Sequence, residues 1–378
     1  MARVYKEGYP SSQASSYPQN KAISILVNIP SDKEFVAGSL KIHGDLKVLQ
    51  NNAAINTGTP AAPGDSSKVY FDSQAGAHCL FDQFSSKILN VGITELISEY
   101  PRWVKMMTQV NASRQELMNS TAQNVELKTG SDESTNSLMN GFLDPSDSAA
   151  VKNKISFAIK PMIFLNRSNR NFTGKEVSQF TLDWVLNDPS KCFFGDDNTG
   201  AKNITYSIAN LKISYAVQDI QKTTTQVPLL FNRVSVLRHS INSALANIEL
   251  IPTIASLSVS STVELDTDFS NRTKNSFDTQ KINISNLRYL VNDSNGKLIS
   301  YNIDSNEELE YLYVKSLQTG NNVLDTVRPA DYAKRFGFGL TFETVMMAGQ
   351  KVTVQINSDA DVAKKYQVFT VVNGIVGL

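Results

Sequence analysis

The sequence predicts an all-β protein built as two antiparallel β-sandwiches in tandem, with a few inserted helices. Three observations carry this. The stretch Ile155 to Val217 reads as four strands in succession, each ended by a different turn device. A polar, Thr-rich segment closed by Pro228 (residues 218–228) separates that series from a second series of strands. Neither series alternates strand and helix regularly, which argues against a parallel doubly wound sheet.

Bulk properties narrow the function. A length of 378 residues supports two cores of ordinary size. Thirty-six basic and thirty-six acidic side chains cancel, whereas a protein that grips nucleic acid usually carries a basic excess. Only 19% of residues are charged, and the polar share comes from Asn, Ser, Thr and Gln, which suits sheets wetted on one face. The two cysteines, Cys79 and Cys192, are too few for a disulfide scaffold. They pair if the fold brings them together; two free, buried thiols is the simpler reading. No run of about eighteen apolar residues predicts a transmembrane helix, and the first residues lack the apolar core of a signal peptide. A soluble chain made in a reducing compartment follows. The sequons at Asn166 and Asn283 are then chance matches in an Asn-rich chain.

Residues 1–20, rich in Ser, Tyr, Gln and Pro, read as a flexible N-terminal arm, either free or ordered against a neighbouring subunit. AISILVNIP and SLKIHGDLKVLQ follow as strands, with Gly44 suggesting a bulge in the second. Residues 51–67 form a loop, and VYFDSQAGAHCLFDQFSSKIL gives one or two strands interrupted at AGA. In residues 93–127, Leu96, Ile97, Tyr100, Val104 and Met107 recur at helical spacing, with Glu95 and Glu99 early and Pro101 as a kink or restart. A long polar loop (128–153) then leads to ISFAIKPMIFL, a strand whose Pro161 requires an edge or a bulge. VSQFTLDWVL alternates on a two-residue period, Pro189 marks a turn, KCFFG is a short strand, and ITYSIANLKISYAV is the most β-like run. The second series comprises LLFNRVSVLRHSI, NIELIPTIASLSVSSTVEL, INISNLRYLVND, KLISYNI, RFGFGLTFETV, KVTVQINS and YQVFTVVNGIV. A turn at Asp293 to Gly296 joins two of these. SNEELEYLYVKSLQTG is a helix capped by Ser305 or Asn306, with Glu307 and Glu308 at its positive end and Gly320 closing it. ADVAKK suggests a short helical turn.

Catalytic and metal chemistry find little support. His43, His78 and His239 are far apart in sequence, and adjacent His78 and Cys79 in a strand point to opposite faces. Gly337-Phe338-Gly339 lacks a third glycine and a Walker lysine, so close packing between aromatics explains it better than a phosphate site. Asp196-Asp197 is a further acidic pair, and Glu264, Asp266 and Asp268 alternate. In a strand the latter three would share a face able to bind Ca²⁺, although a solvated acidic face is the plainer account. Arg102-Trp103 and Arg335-Phe336 interleave cations with aromatics, but nucleic-acid stacking also needs a basic groove. Trp103 and Trp184 sit in apolar patterns that place them in the core. No catalytic, cofactor-binding or metal-ligating residue is assigned, and no cofactor.

From residue 20 onward the order of features resembles the double jelly-roll major capsid proteins of the virophage and polinton-like virus type. The resemblance rests on ILVNIPSDKEFVAGSLKIHGDL, on SQAGAHCLFDQF, on ITELISEYPRWVKMM, and on ISFAIKPMIFLN through QFTLDWVLND to YSIANLKISYAV. In the second half it rests on SSTVELDTDF, KINISNLRYLVND and EELEYLYVKSLQ. It implies an arm over 1–20, a first jelly roll over 21–220 with a helical insertion near 93–127, and a second over 221–378 with a helix near 305–319. It further implies a non-enzymatic viral structural protein, made in the host cytoplasm or nucleus and located in the virion. Such a subunit forms a homotrimer whose pseudo-hexagonal outline tiles an icosahedral capsid. Its partners would be its own copies, neighbouring capsomers and other capsid proteins, with an internal membrane as a candidate contact and no sequence-specific nucleic acid. The insertion at 93–127 and the loop 128–153 are the candidate contact regions. Two other readings remain: a pentameric penton or minor capsid protein, and a carbohydrate-binding β-sandwich adhesin or fibre domain with exposed aromatics in a groove.

Overall fold

The computed structural model describes residues 3–50, 53–54, 69–70, 72, 75–111, 154–195, 204–220, 227–241, 243–265, 276–277, 279–292, 298–319, 336–359 and 365–378. The second half shows the architecture most simply. Its eight strands are β15 (Leu230–Ile241), β16 (Leu245–Leu250), β17 (Ser256–Leu265), β18 (Ile284–Asn292), β19 (Leu298–Ile303), β20 (Gly337–Met346), β21 (Val352–Ser358) and β22 (Tyr366–Gly377). They form two antiparallel sheets in the orders β15-β22-β17-β20 and β16-β21-β18-β19. Numbered one to eight along the chain, one sheet reads first–eighth–third–sixth and the other second–seventh–fourth–fifth, the order of a jelly roll.

The first half repeats that order with longer connections. Its principal strands are β1 (Val4–Gly8) and β2 (Ser16–Pro18), then β3 (Ala22–Asn28), β5 (Lys41–Gln50), β8 (Phe81–Ile88), β9 (Thr94–Ile97), β10 (Lys154–Ile159), β12 (Gln179–Leu186) and β14 (Ile204–Asp219). Short additions are β4 (Lys33–Phe35), β6 (Ala53–Ala54), β7 (Val69–Tyr70), β11 (Phe172–Thr173) and β13 (Phe194–Gly195). One sheet runs β10-β5-β14, with β1 and β2 on the far edge of β14; the other runs β3-β12-β8-β9. With β1 and β2 counted as one interrupted first strand, both sheets match the second half position for position. Each half also places a helix between its fifth and sixth strands: α1 (Tyr100–Asn111) and, further on, α3 (Asn306–Gln318). A four-residue helix, α2 (Pro189–Cys192), follows β12. The chain is a double jelly roll.

Alternation explains why these strands fold face to face. In β3 the side chains of Ile23, Ile25 and Val27 are buried while their neighbours are exposed. In β12 the inward set is Phe180, Leu182, Trp184 and Leu186. Ile42, Leu46, Ile208 and Ile213 of the opposing sheet complete this core.

Several expectations change. The segment read as a flexible arm contributes the first strand of the roll: β1 pairs with β14 from Val4↔Val217 to Gly8↔Ile213, and β2 pairs with it from Ser207↔Pro18 to Ala209↔Ser16. Residues 94–97 are a strand, paired with β8, because Gly92 (φ 72°) turns the chain back after Ile88. Helix α1 starts only at Tyr100, so Pro101 lies in its first turn, where no hydrogen bond is lost. Residues 112–127, the loop 128–153 and the ADVAKK segment up to residue 364 lie outside the described residues, as do residues 221–226 of the polar segment and the turn at 293–296. The strand carrying Pro161 ends earlier, at Ile159, and residues Phe164–Arg167 form a 3₁₀ helix. Pro189 opens α2, with the Asp188 carboxylate accepting from Ser190 N at 2.8 Å, and Cys192 belongs to that helix rather than to a strand. The bulge lies on β14 rather than at Gly44: the register jumps between Ala209 and Lys212, and Asn210 adopts φ 50°. Gly44 sits opposite that jump, where a Cβ would meet the Ile208 side chain at 2.6 Å.

Gly337 and Gly339 have the close-packing role the sequence suggested. Helix α3 lies across β20 so closely that a Cβ on Gly337 would stand 2.4 Å from the Tyr313 ring, and one on Gly339 2.1 Å from Ser316 Oγ. Ser316 then joins a buried polar cluster. Its carbonyl accepts from Ser258 Oγ at 2.6 Å and from Asn373 Nδ2 at 3.2 Å, and its hydroxyl meets Ser260 Oγ at 2.7 Å. We expect Gly339→Ala to destabilise the second sandwich by about 1–3 kcal/mol through overpacking. Chemical denaturation measures this, and an unchanged midpoint would disprove the contact.

Candidate functional site: the seam between the sandwiches

Helix α1 belongs to the first sandwich by sequence, yet residues 100–108 are all buried, because the second sandwich covers the side turned away from the first core. The insertion at 93–127 was expected to face outward or another subunit, and residues 100–108 are the part of it that does not. They form an internal joint instead.

Arg102 is the residue around which the joint closes. Its Nε lies 2.9 and 2.8 Å from the two carboxylate oxygens of Glu264 on β17, and its Nη2 donates to Ser276 O at 3.1 Å. Glu99, one turn earlier, pairs with Nη1. The guanidinium carbon sits 4.1 Å from the Phe369 ring centroid and 5.1 Å from that of Phe277, so the cation is both paired and stacked. Ser276 Oγ also donates to Lys191 O across the joint, at 2.9 Å. Burial pushes the Glu264 carboxyl up to about 7, with Arg102 pulling the other way. Glu264 therefore belongs to a buried cross-sandwich ion pair, not to a solvated acidic face or a calcium site. Asp266, Asp268 and the Asp196-Asp197 pair lie outside the described residues.

A second buried carboxylate, Glu95 of β9, ties three elements. It accepts from Phe164 N at 2.6 Å, from Val234 N of β15 at 2.8 Å and from Arg167 Nη2 at 2.7 Å. Burial raises its affinity for a proton, and Arg167 and the two amides oppose that. Arg233 of β15 donates to Thr94 O beside it. The apolar part of the joint is Phe231, which is fully buried between Phe164 (5.1 Å between ring centroids) and Phe172 (5.8 Å). Phe172 in turn stacks on Phe35 at 4.7 Å. One aromatic side chain of the second sandwich is thus inserted into the core of the first.

The remaining sequence candidates are structural. His78 lies in a 3₁₀ helix (Gly76–Leu80) rather than a strand, and its Nδ1 is 2.9 Å from Tyr100 Oη. His43 Nε2 is 2.7 Å from Ser214 Oγ, and His239 lies on β15. Among the described residues no group of three His, Cys, Asp or Glu is placed to hold a metal ion. Cys79 and Cys192 are free and buried; Cys192 Sγ donates to Cys79 O at 3.0 Å, and burial pushes both thiols well up. Asn166 is buried, with its amide bonded to Leu40 and Pro161. Trp103 and Trp184 are fully buried, so neither supplies an exposed aromatic for a sugar groove. Arg335 lies outside the described residues.

No family model matches the chain, and no curated protein matches it by sequence. Solved structures do match by fold. The Faustovirus major capsid protein aligns over 100% of this chain and 90% of its own, with a TM-score of 0.62 at 8% identity. The mavirus major capsid protein aligns over 98% and 86%, with a TM-score of 0.53 at 13% identity. A chain from the structure of the Sputnik virophage aligns over 99% and 86%, with a TM-score of 0.58 at 10% identity. At these identities the likeness is one of fold, and it spans both sandwiches.

Two tests probe the joint. Arg102→Met should cost about 3–5 kcal/mol, because it strands the buried Glu264 carboxylate, and a second change, Glu264→Leu, should recover most of the loss. Denaturant unfolding of the three variants checks this. The second test concerns pH. A carboxyl whose folded-state pKa is about 7, against an ordinary 4.5, contributes stability below pH 4.5 that is lost as pH rises through 7. Glu264→Gln cannot ionise. Its melting temperature relative to the parent should therefore climb between pH 5 and pH 8; a gap that falls over that range would show that Arg102 outweighs burial.

Proposed function

We propose that this protein is a capsid subunit that trimerises into pseudo-hexameric capsomers tiling an icosahedral shell. The observation that carries the reading is the end-to-end match of both sandwiches to the Faustovirus and mavirus major capsid proteins, with 86–90% of those chains covered. The physics is consistent with it. Two rolls of the same strand order, fixed side by side by buried contacts, make a protomer with two similar lobes. Three such protomers around an axis present six similar corners, which is what a hexagonal lattice needs. We take the lobes to be residues 21–220, completed by the strand in 1–20, and residues 221–378. The role is structural, with no reaction assigned. The partners are further copies of the chain, neighbouring capsomers and other capsid proteins, and the location is the virion, after synthesis in the host cytoplasm or nucleus.

An exposed apolar side chain on the outer side of α3 suits lateral contacts: Tyr311 is 62% exposed. Native mass spectrometry of the purified protein should give a trimer, and negative-stain images should show six-cornered particles. A stable monomer at micromolar concentration would overturn the reading, and a pentamer would reassign the protein to the vertices.

A further inference from the structure

The first strand of the first roll departs from its counterpart in the second. There, β15 pairs with β22 without a break from Leu230↔Gly377 to Ile241↔Tyr366. In the first roll, β1 leaves β14 after Gly8↔Ile213 and β2 takes over at Ala209↔Ser16, so residues 9–15 stand opposite only residues 210–212. That stretch of β14 also carries the register jump against β5. An insertion in one strand thus sits over a bulge in the next. Closing a jelly roll requires neither, since β15 and β22 pair without them.

The insertion is anchored at several points. Ser11 N donates to Ser24 O of β3 at 2.9 Å, Gln13 N to Pro10 O at 3.1 Å, and Ala14 N to Tyr17 Oη at 3.1 Å. Two residues with side chains are held at positive φ, Gln13 at 42° and Asn210 at 50°. This conformation costs energy outside glycine and collects at binding sites. Between insertion and bulge lies a cleft of about 640 Å³, within the range of small-molecule sites, about 300–1,000 Å³.

The lining selects the ligand. Tyr17 and Leu211, both buried, form the apolar floor, and Tyr9, 59% exposed, offers its ring at the rim. Gln13, Ser15 and Asn210 add amides and a hydroxyl, which donate and accept at once. Charge here is already matched. Glu7 accepts from both Tyr9 Oη and Lys212 Nζ, and Asp45 accepts from Asn210 Nδ2 at 2.6 Å and from Ser156 Oγ at 2.6 Å. An anion would have to compete with Glu7 for Lys212, and a cation would find both carboxylates engaged. A wholly apolar ligand would leave the amides without partners. A sugar suits every group: the C–H face of its ring packs on an aromatic side chain, and its hydroxyls both donate and accept.

We propose that the cleft between residues 9–15 and the β14 bulge binds a neutral oligosaccharide, one ring stacked on Tyr9 and its hydroxyls bonded to Gln13, Ser15 and Asn210. This binding does not depend on the capsid reading, and it is measured on the whole protein whatever its oligomeric state. Saturation-transfer difference NMR of the full-length protein, with maltotriose, cellotriose and triacetylchitotriose as probes, should show transfer to the ring protons of at least one of them. Tyr9→Ala should weaken that sugar's binding at least fivefold, while Tyr9→Phe, which keeps the ring and loses the bond to Glu7, should retain most of it. Tyr5→Ala removes an exposed aromatic of the same strand outside the cleft and should change nothing. All three substituted side chains are exposed, so unaltered melting curves establish that folding is intact. Absence of transfer from all three probes, full binding by Tyr9→Ala, or equal loss in Tyr5→Ala would overturn the proposal. So would transfer from sialyllactose alone that Lys212→Met abolishes, which would make the cleft a site for anions.

Discussion

The structure depends on fixing two separate jelly rolls in one relative position. A sandwich closed on its own core has no inherent reason to hold a neighbour, and interfaces between domains are usually polar enough to move. Here the junction resembles a core interior. Phe231 fills a space among the aromatics of the first roll, and Glu95 and Glu264 are carboxylates out of water whose partners come from both sides. Opening the joint would expose the aromatic face and leave buried charge without its complement. The helix that bridges the rolls is therefore a structural key, and the β9 strand before it serves the same end through Glu95.

The repeated strand order gives this joint a further logic. In each roll a helix follows the fifth strand, and the two helices pack against each other at the seam. They meet it differently. Helix α1 turns Tyr100 and Trp103 into its own roll, where both bond Met162, and sends Arg102 across to Glu264. Helix α3 sits low on its own sheet over two glycines and a cluster of serines. Equivalent connections have thus specialised, one into the fastener and the other into a cover for the sheet it belongs to.

Much of the fold was legible in the sequence because two-residue alternation is a local property. Ile23, Ile25 and Val27, or Phe180, Leu182 and Trp184, declare their inward face without reference to the rest of the chain. The helix at 306–318 was equally plain from Ser305 and the glutamates beside it. What could not be read was long-range. Thr94–Ile97 is only four residues long, and its Leu96 and Ile97 continue the periodicity of the helix after it, so strand and helix merged into one pattern. Residues 4–8 lack apolar alternation because an edge strand on β14 buries little, and backbone pairing with the Glu7–Lys212 ion pair holds them. Arg102 and Glu264 are 162 positions apart. Nothing in SSTVEL distinguishes a carboxylate facing water from one facing a buried guanidinium, since both alternate with the same serines and threonines.

The glycine contact under α3 has an implication for how such a protein can change. Because Gly337 and Gly339 bring the helix axis close to the sheet, its depth and rotation are set by backbone against side chain on the inner side alone. The outer side, with Glu307, Glu308, Tyr311 and Lys315, takes no part in that placement. A lineage could therefore rewrite the outer side residue by residue while the helix stays where it is. New surface chemistry would arise on an unaltered frame, and the seam beneath would be insulated from whatever the outside is selected to meet.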